Sequence, residues 1–238
     1  MNKQAEVVAP GTRLLILDSH GIMFRSYFAM PEELTDSAGK PTGAVLGFAN
    51  TLSAVLTELA PTHIIAAWDA SEETFRKQLD PNYKANRDPT PVALRSQFDT
   101  VRDMLAAQSI PLVECPGYEA DDVMGTLARQ ASELGINETI LLTLDNDLIQ
   151  LVDEQVRVYM YRPYQKDYVM YDKAKVFERF GFEPIQMIDY KGLVGDTSDN
   201  IPGVKGIGDK GAKALIASWG DIDRMIDNLD AIEPTRTR

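Results

Sequence analysis

Residues 13–18 read Arg-Leu-Leu-Ile-Leu-Asp, an apolar run that ends in an aspartate. A continuous apolar run of this length is typical of a strand that is buried on both faces of a parallel sheet. Two later segments repeat the pattern: residues 63–69 read His-Ile-Ile-Ala-Ala-Trp-Asp, and residues 139–145 read Thr-Ile-Leu-Leu-Thr-Leu-Asp. The sequence therefore predicts three buried strands, each leading directly into an aspartate.

Segments with apolar residues at helical spacing lie between and after these strands. Strands that alternate with helices predict an α/β fold with a mostly parallel central sheet and helices on both faces. The first residues, 1–12, are expected to form a loose leader. The predicted helices span 43–59, 97–107, 119–134, 173–180, 184–193 and 209–219, and two further strands are predicted at 110–113 and 156–161.

The three strand-end aspartates, Asp18, Asp69 and Asp145, are expected to meet at one edge of this sheet. In open α/β sheets, ligands bind outside the carboxyl ends of the strands. Any one of these aspartates could instead cap a helix or stabilise a turn. Three of them at equivalent positions favour a shared site.

Further acidic residues extend this set. Three of them fall in the first turn of the helix predicted at 119–134, where the helix dipole alone could account for one or two. So many carboxylates in one cleft would raise one another's pKa values unless cations neutralised them, and oxygen ligands suit Mg²⁺ or Mn²⁺. The nine candidate metal ligands are Asp18, Asp69, Glu119, Asp121, Asp122, Asp145, Asp147, Asp196 and Asp199.

The composition of the 238 residues is that of an ordinary globular protein, with a formal net charge of −12. A negative total argues against a nucleic-acid partner only if the charge is spread evenly, and the clustered acids leave room for a basic face. The single cysteine, Cys115, is expected to be an inert packed residue. No segment reads as a membrane span or a secretion signal, which predicts a cytoplasmic protein.

Several enzyme classes lack their motifs here. No Walker P-loop occurs, and no Ser/His/Asp or Cys/His arrangement competes with the carboxylates. His20 follows Asp18 by two residues and is a candidate for a supporting role, whereas His63 is expected to be structural. Two metal ions held by carboxylates could activate water and stabilise the leaving oxygen in phosphodiester hydrolysis.

Two further segments indicate contacts with an anion. Residues 192–213 are rich in glycine and lysine, and such a loop can bring backbone N–H groups and a helix N-terminus to a phosphate, although a surface turn would read similarly. Residues 71–95 are basic and aromatic, which suits a single-stranded nucleic-acid channel or, alternatively, a solvated helix pair. The second segment contains Phe75, Arg76, Lys77, Tyr83, Lys84, Arg87 and Arg95.

The chain as a whole resembles the 5′-nuclease (flap endonuclease) family, and most closely the N-terminal 5′→3′ exonuclease domain of bacterial DNA polymerase I. The resemblance includes Tyr-Glu-Ala-Asp-Asp at 118–122 and Gly-Asp-Thr-Ser-Asp-Asn-Ile-Pro-Gly-Val-Lys-Gly-Ile-Gly at 195–208. The matching segments occur in family order and are 17–29, 68–70, 83–87, 116–123, 143–151 and 195–208.

This resemblance implies a PIN-like nuclease fold in two parts. Residues 1–185 would form the α/β core with a helical arch at about 71–95, and residues 186–238 would form a helix–hairpin–helix region. The resemblance assigns one divalent ion, Mg²⁺ or Mn²⁺, to Asp18, Asp69, Glu119 and Asp121. It assigns a second ion to Asp122, Asp145, Asp147 and Asp199, with Asp196 nearby.

The same resemblance implies roles for basic residues and for partners. Lys84 and Arg87 would steer the scissile phosphate, and Arg25 would be another basic residue of the active site. The helix–hairpin–helix loop would grip duplex DNA and hold a K⁺ ion. The implied substrate is DNA with a 5′ flap or free 5′ end, bound by shape, and the chain is expected to be a monomer with a link to a DNA polymerase. The expected DNA contacts are Arg76, Lys77, Tyr83, Gly203, Lys205, Gly206, Gly208, Lys210 and Lys213.

The sequence therefore predicts a metal-dependent 5′→3′ exonuclease or flap endonuclease of replication and repair, cytoplasmic and associated with the nucleoid. Two other interpretations stay open. One is a branched-DNA binding module with weak or no catalysis, which the full set of carboxylates disfavours. The other is a small toxin-like ribonuclease, which the arch and the helix–hairpin–helix segment disfavour.

Overall fold

The computed structural model describes residues 11–31, 33–70, 73–162 and 167–232. Most of the predicted leader (1–10), the start of the predicted arch (71–72) and the last residues of the predicted helix–hairpin–helix region (233–238) lie outside the described residues.

Strands and helices alternate through most of the described chain. The strands are β1 (Arg13–Asp18), β2 (His63–Ala67), β3 (Leu112–Val113), β4 (Glu138–Thr143), β5 (Val156–Arg162), β6 (Asp167–Tyr171), β7 (Gly195–Asp196) and β8 (Ile201–Pro202). The α-helices are α1 (Ser19–Ala29), α2 (Gly43–Leu59), α3 (Phe75–Leu79), α4 (Val92–Arg95), α5 (Phe98–Ala107), α6 (Ala120–Glu133), α7 (Lys173–Phe180), α8 (Met187–Val194), α9 (Asp209–Trp219) and α10 (Ile222–Asp227). Short 3₁₀ helices span Asn146–Leu151, Pro184–Gln186 and Leu229–Ala231.

The central sheet has six strands in the order β3-β2-β1-β4-β5-β6. β1 pairs in parallel with both β2 and β4, β2 pairs in parallel with β3, and β4 pairs in parallel with β5. Only β6 runs antiparallel, against β5. The chain order changes direction beside β1, so the carboxyl ends of β1, β2 and β4 lie side by side at the place where such sheets bind ligands.

Successive residues of β1 point to opposite faces of the sheet, as the two-residue period of a strand requires. Leu14 and Ile16 belong to the hydrophobic cluster that includes α6 to α10, whereas Leu15 and Leu17 belong to the cluster that includes α1, α2 and α5. Helices therefore cover both faces of the sheet, which confirms the predicted α/β fold.

The predicted elements lie within two residues of the observed ones. Several observed elements were not predicted from the sequence, among them α1, α10 and β6 and the short strands β7 and β8. β6 is an antiparallel edge strand and so falls outside the alternation of strand and helix that the prediction used. The helix predicted at 184–193 begins as a 3₁₀ helix at Pro184–Gln186 before α8.

The prediction for Cys115 was wrong, because this cysteine is exposed. Its segment leaves β3 after Val113 and turns at Pro116, so the apolar run that seemed to bury it ends two residues earlier. Among the residues described, no helix has the length and apolar character that a membrane crossing requires.

A tight backbone contact joins α8 to the segment that precedes α9. Gly195 has φ +77°, and a side chain there would place its Cβ 2.3 Å from the backbone nitrogen of Gly203. A Cβ on Gly203 would lie 2.3 Å from the carbonyl carbon of Val194. Glycine is required at both positions because the two backbones touch with no room for a side chain.

We expect Gly203→Ala to destabilise the fold by about 1–3 kcal/mol, since the added methyl group must push backbone atoms apart. Gly211→Ala is the matched control, because a Cβ there meets only Ile207 Cγ2 at 3.7 Å and lies in a helix, where alanine is preferred. Urea denaturation of both variants measures the difference. Equal stability of the two variants would contradict the tight contact.

Candidate active site

Asp18, the last residue of β1, is held at the carboxyl edge of the sheet by two hydrogen bonds. It caps α1 by accepting from the backbone N–H of Gly21 at 2.8 Å, and it accepts from the hydroxyl of Thr143 at 2.9 Å. Thr143 ends β4, the neighbouring strand. The adjacent strand ends therefore position this carboxylate, and its capping of α1 is compatible with the predicted role of Asp18 as a metal ligand.

The start of α6 brings a second group of acids to the same edge. Asp69, two residues after β2, accepts from the backbone N–H of Ala120 at 2.6 Å, and this contact docks the helix N-terminus onto the sheet. Glu119 is the N-cap residue of α6, and its backbone N–H donates to Asp122 at 3.0 Å. The helix dipole favours negative charge here.

Burial raises the pKa of three of the gathered carboxyl groups. The pKa of Asp18 rises to about 6, mainly because the group is buried. Burial and the nearby carboxylates of Asp18 and Asp145 raise the pKa of Asp121 well above its usual range. Burial and Asp147 likewise raise the pKa of Asp145. These shifts mark a centre that favours protons or metal cations.

Three other carboxylates form a compact group beside this centre. One oxygen from each of Asp147, Asp196 and Asp199 lies within 4.8 Å of the others. Asp147 lies in the first turn of the 3₁₀ helix after β4, whereas Asp196, the last residue of β7, and Asp199 come from the loop region after α8. Residues far apart in the chain thus offer a second set of oxygen ligands.

Lys191, which the sequence analysis did not single out, contacts this group from α8. Its Nζ lies 2.6 Å from Asp147 Oδ1 and also forms an ion pair with Asp196. Burial opposes ionisation of Asp196, but hydrogen bonds from Lys191 and Ser198 lower the pKa of Asp196 to about 2. The only sequence signal was a lysine five residues before Asp196 in the helix that leads into the loop.

The predicted arch consists, over residues 73–95, of two short helices joined by turns, and it packs on the loop of Asp196 and Asp199. The backbone N–H of Lys84 donates to the carbonyl of Asp199 at 2.9 Å. Lys84 has φ +55°, a strained backbone conformation that this contact helps to hold. The basic segment is therefore fixed at the mouth of the carboxylate cleft.

Three side chains of this segment contact the carboxylates: Tyr83, Lys84 and Arg87. Lys84 Nζ lies 2.8 Å from Glu119, and Arg87 donates to Asp199 at 2.5 Å. The hydroxyl of Tyr83 lies 2.9 Å from Glu119 and 3.1 Å from Asp199, so it bridges them. Tyr83 is buried, whereas its predicted role was a DNA contact, and burial with these two carboxylates raises its pKa.

Arg76 and Asp122 form a pair that the sequence did not predict. The guanidinium of Arg76 donates to both oxygens of Asp122, at 2.6 and 2.8 Å. Burial favours protonation of Asp122, yet the hydrogen bonds from Arg76 and the Glu119 backbone lower its pKa. Both oxygens are engaged by protein donors, so Asp122 could bind metal only by giving up Arg76.

Arg25 lies in a different environment from the other predicted basic residues. Its guanidinium stacks 3.5 Å from the ring centroid of Tyr161 and donates to the hydroxyl of Tyr168 at 2.8 Å. Within the described part of the chain, no ion pair joins Arg25 to a carboxylate of the site. Its role towards phosphate stays a prediction.

His20 supports Asp69. The backbone N–H of Asp69 donates to His20 Nδ1 at 3.1 Å, which requires an unprotonated Nδ1. Burial lowers the pKa of His20, with Asp69 acting in the opposite direction, and the ring packs against Trp68 and Phe98. The supporting position expected for His20 agrees with these contacts.

The remaining predicted DNA contacts lie around the loop between α8 and α9 and on α3. Lys205 and Lys210 are exposed, whereas Lys213 pairs with Asp209 at 2.8 Å. Lys77 is half-buried on α3. Gly203, Gly206 and Gly208 lie in the segment before α9.

The donor set fits hard divalent cations. It consists of carboxylate oxygens, with no thiol and no histidine in the compact group of Asp147, Asp196 and Asp199. Such ligands suit Mg²⁺ or Mn²⁺ and not Zn²⁺. The raised pKa values of Asp18, Asp121 and Asp145 add a second reason, since a bound cation would offset the burial and the repulsion that raise them.

Comparison of the sequence with known protein families identifies the family of this chain. Residues 13–181 match the family model described as "5'-3' exonuclease, N-terminal resolvase-like domain", and residues 182–238 match "5'-3' exonuclease, C-terminal SAM fold". The chain therefore belongs to the 5′-3′ exonuclease family.

Bacterial DNA polymerases I are among the proteins that this chain is similar to. The chain is 45% identical to the enzyme of Chloroflexus aurantiacus over 222 residues, which are 92% of this chain and 23% of that protein. It is 37% identical to the thermostable enzyme of Thermus thermophilus over 238 residues, which are 100% of this chain and 28% of that protein. The chain thus spans about a quarter of the length of these relatives.

Solved structures agree on the fold. The T5 D15 protein, crystallised with metal ions, superimposes with a TM-score of 0.75 at 22% identity, over 94% of this chain and 82% of that one. The catalytic core of Rad2 in complex with DNA superimposes with a TM-score of 0.62 at 17% identity, over 94% of this chain and 67% of that one. At these identities the likeness concerns the fold.

The raised pKa values predict how the metal-free protein responds to pH. A carboxyl group whose pKa is higher in the folded state stabilises the fold below its unfolded pKa, and this stability is lost as pH rises through the folded pKa. Asp121→Asn removes one such group. In chelator at pH 7.5 we expect its melting temperature to exceed that of the wild type by at least about 2 °C, with a smaller difference at pH 4.5.

Asp196→Asn is the contrasting variant, because the pKa of Asp196 is lowered to about 2 and its ion pair stabilises the fold above the unfolded pKa. This variant should melt below the wild type at pH 7.5. The wild type and both variants keep His20, so the effect of its lowered pKa on stability is the same in each of them. If the melting temperatures of wild type and Asp121→Asn differed by the same amount at every pH, the pKa of Asp121 would not be raised in the folded protein.

Proposed function

We propose that this chain is a metal-dependent, structure-specific 5′-nuclease that hydrolyses phosphodiesters in DNA with 5′ ends or 5′ flaps, in replication and repair. The observation that carries the proposal is the convergence of two groups of carboxylates with Lys84 and Arg87 at one edge of the sheet. The membership in the 5′-3′ exonuclease family supports it.

Two divalent ions, Mg²⁺ or Mn²⁺, are proposed as the cofactors. When bound, such ions supply an activated water and offset the charge of the leaving oxygen. Asp18, Asp69, Glu119 and Asp121 would hold one ion. Asp122, Asp145, Asp147 and Asp199 would hold the other, with Asp196 beside them, and Asp122 would first have to release Arg76.

Lys84 and Arg87 would position the scissile phosphate. The side chain of Arg87 is 49% exposed although it pairs with Asp199, so a phosphate can reach its guanidinium. Arginine binds phosphate oxygens through paired N–H donors, and lysine adds a point charge. Both residues reach the carboxylates in the structure, so a phosphate between them would face the ligands directly.

The segment before α9 would grip the duplex backbone. The exposed Lys205 and Lys210 flank the N-terminus of α9, where free backbone N–H groups and the helix dipole favour phosphate. A K⁺ ion held by loop carbonyls belongs to the same proposal. Because contacts of this kind carry no base sequence, recognition would depend on DNA shape.

The proposed setting follows from the relatives. Their names describe DNA polymerases, and this chain matches about a quarter of each, which supports a functional link to a polymerase. We propose a monomer that acts in the cytoplasm at the nucleoid. The proposed division is a nuclease core over residues 1–185 and a helix–hairpin–helix region over residues 186–238.

Cleavage of a 5′-flap DNA tests this function. We expect product in Mg²⁺ or Mn²⁺ and none in chelator. Asp145→Asn should lower the rate by more than about 100-fold, because loss of a ligand should exceed the 10–100-fold effect of losing a partner of a ligand. Asp103→Asn, an exposed carboxylate on α5, is the control and should cleave at the wild-type rate.

Each alternative function has its own outcome in that assay. Tight flap binding without cleavage in either metal would indicate a branched-DNA binding module. Preference for single-stranded RNA over flap DNA would indicate a toxin-like ribonuclease. An Asp145→Asn variant that cleaves as fast as the wild type would overturn the assignment of the site.

Metal ions should also stabilise the fold in the absence of DNA. A ligand present at one hundred times its Kd stabilises a protein by about 2.7 kcal/mol, which for a chain of this size corresponds to a melting temperature about 5–10 °C higher. Differential scanning fluorimetry across a Mg²⁺ or Mn²⁺ titration measures this. A melting temperature that does not change with either ion would contradict the proposed metal site.

A further inference from the structure

Lys191 occupies a cation position inside the group of Asp147, Asp196 and Asp199. Its ammonium forms ion pairs with two of the three carboxylates, at 2.6 Å from Asp147 and in close contact with Asp196. Its side chain is 27% exposed, so solvent screens these pairs only in part. Burial works against the charge of Lys191, yet its two carboxylate partners raise its pKa.

Three other carboxylates of the cleft lack such a partner. Within the described ranges, Asp18, Asp121 and Asp145 form no ion pair, and their pKa values are raised. In the compact group, by contrast, Lys191 covers Asp147 and Asp196, and Arg87 covers Asp199. The protein therefore compensates the charge of some carboxylates of the cleft, Glu119 and Asp122 among them, and leaves three others without an ion pair.

An ammonium and a divalent ion compete for the same carboxylate lone pairs. The oxygens that Lys191 contacts belong to the residues that lie close enough to share one metal ion. A lysine stem is flexible, and Lys191 borders a cleft of about 420 Å³ that is also lined by Arg179, Tyr190 and Asp209. The side chain therefore has room to leave the carboxylates when an ion arrives.

We propose that Lys191 is a built-in counter-cation that competes with a divalent ion for Asp147 and Asp196, and so sets the metal concentration at which this second site fills. In the metal-free protein Lys191 holds the two carboxylates together. On metal binding it moves into the adjacent cleft. This inference rests on the proposed metal-dependent function.

Calorimetric titration of the full chain with Mn²⁺, in the absence of DNA, tests the competition. Lys191→Met removes the charge and keeps the length of the side chain, and we expect its weaker Mn²⁺ site to bind about tenfold tighter than in the wild type, or more. Lys191→Arg should stay close to the wild type. Lys175→Met removes a surface lysine that pairs with Glu178 and controls for net charge, with a change below about threefold.

A second readout is the melting temperature in chelator. It should fall in Lys191→Met, because the two carboxylates then repel each other without compensation, and Mn²⁺ should close the gap to the wild type. If Lys191→Met does not fold, Lys191→Gln, which is uncharged but still a hydrogen-bond donor, provides the same comparison.

Several outcomes overturn the inference. Unchanged or weaker Mn²⁺ binding in Lys191→Met would mean that the lysine does not compete, and weaker flap binding in chelator alongside unchanged Mn²⁺ affinity would make Lys191 a phosphate contact instead. An equal gain of Mn²⁺ affinity in Lys175→Met would show that net charge alone explains the effect. A wild-type chain that binds no Mn²⁺ would overturn the proposed function as well, whereas equal binding in wild type and variant overturns this inference alone.

Discussion

Mutual repulsion among the carboxylates at the carboxyl edge of the sheet is the constraint on which the site depends. The fold brings acids from three strand ends, one helix N-terminus and one loop into a single cleft. It then supplies cations from outside the sheet: Arg76, Lys84 and Arg87 from the segment after β2, and Lys191 from α8. Without these cations, and without the N-terminus of α6, gathering the acids would oppose folding.

This compensation is uneven, and the unevenness agrees with the proposed chemistry. The uncompensated carboxyl groups hold protons more tightly than free aspartates, and a divalent ion would displace those protons. The compensated carboxylates already have cation partners, which an arriving ion or phosphate must replace. Functional sites commonly sacrifice stability in this way, and the rest of the fold, with hydrophobic clusters on both faces of the sheet, offsets the loss.

One loop links the carboxylates to the basic segment and to the glycine-rich turn. It carries Asp196 and Asp199, its backbone receives the N–H of Lys84, and it leads into the close approach of Gly195 and Gly203. A shift in this loop would therefore move the proposed metal ligands, the proposed phosphate-binding cations and the N-terminus of α9 together. The proposed grip on DNA and the proposed hydrolysis are mechanically coupled through these few residues.

The sequence alone determined the parallel strands of the sheet, most helices and the candidate carboxylates, because buried parallel strands leave unbroken apolar runs and because acids at strand ends recur in one pattern. It missed β6, whose antiparallel pairing follows no repeat, and it placed Cys115 in the interior. Only the tertiary structure decided how the charges pair: Arg76 with Asp122, Tyr83 buried between Glu119 and Asp199, Arg25 among tyrosines, and Lys191 between Asp147 and Asp196. Most of these contacts join residues that are distant in the chain, and their partners depend on packing, which leaves little local signal in the sequence.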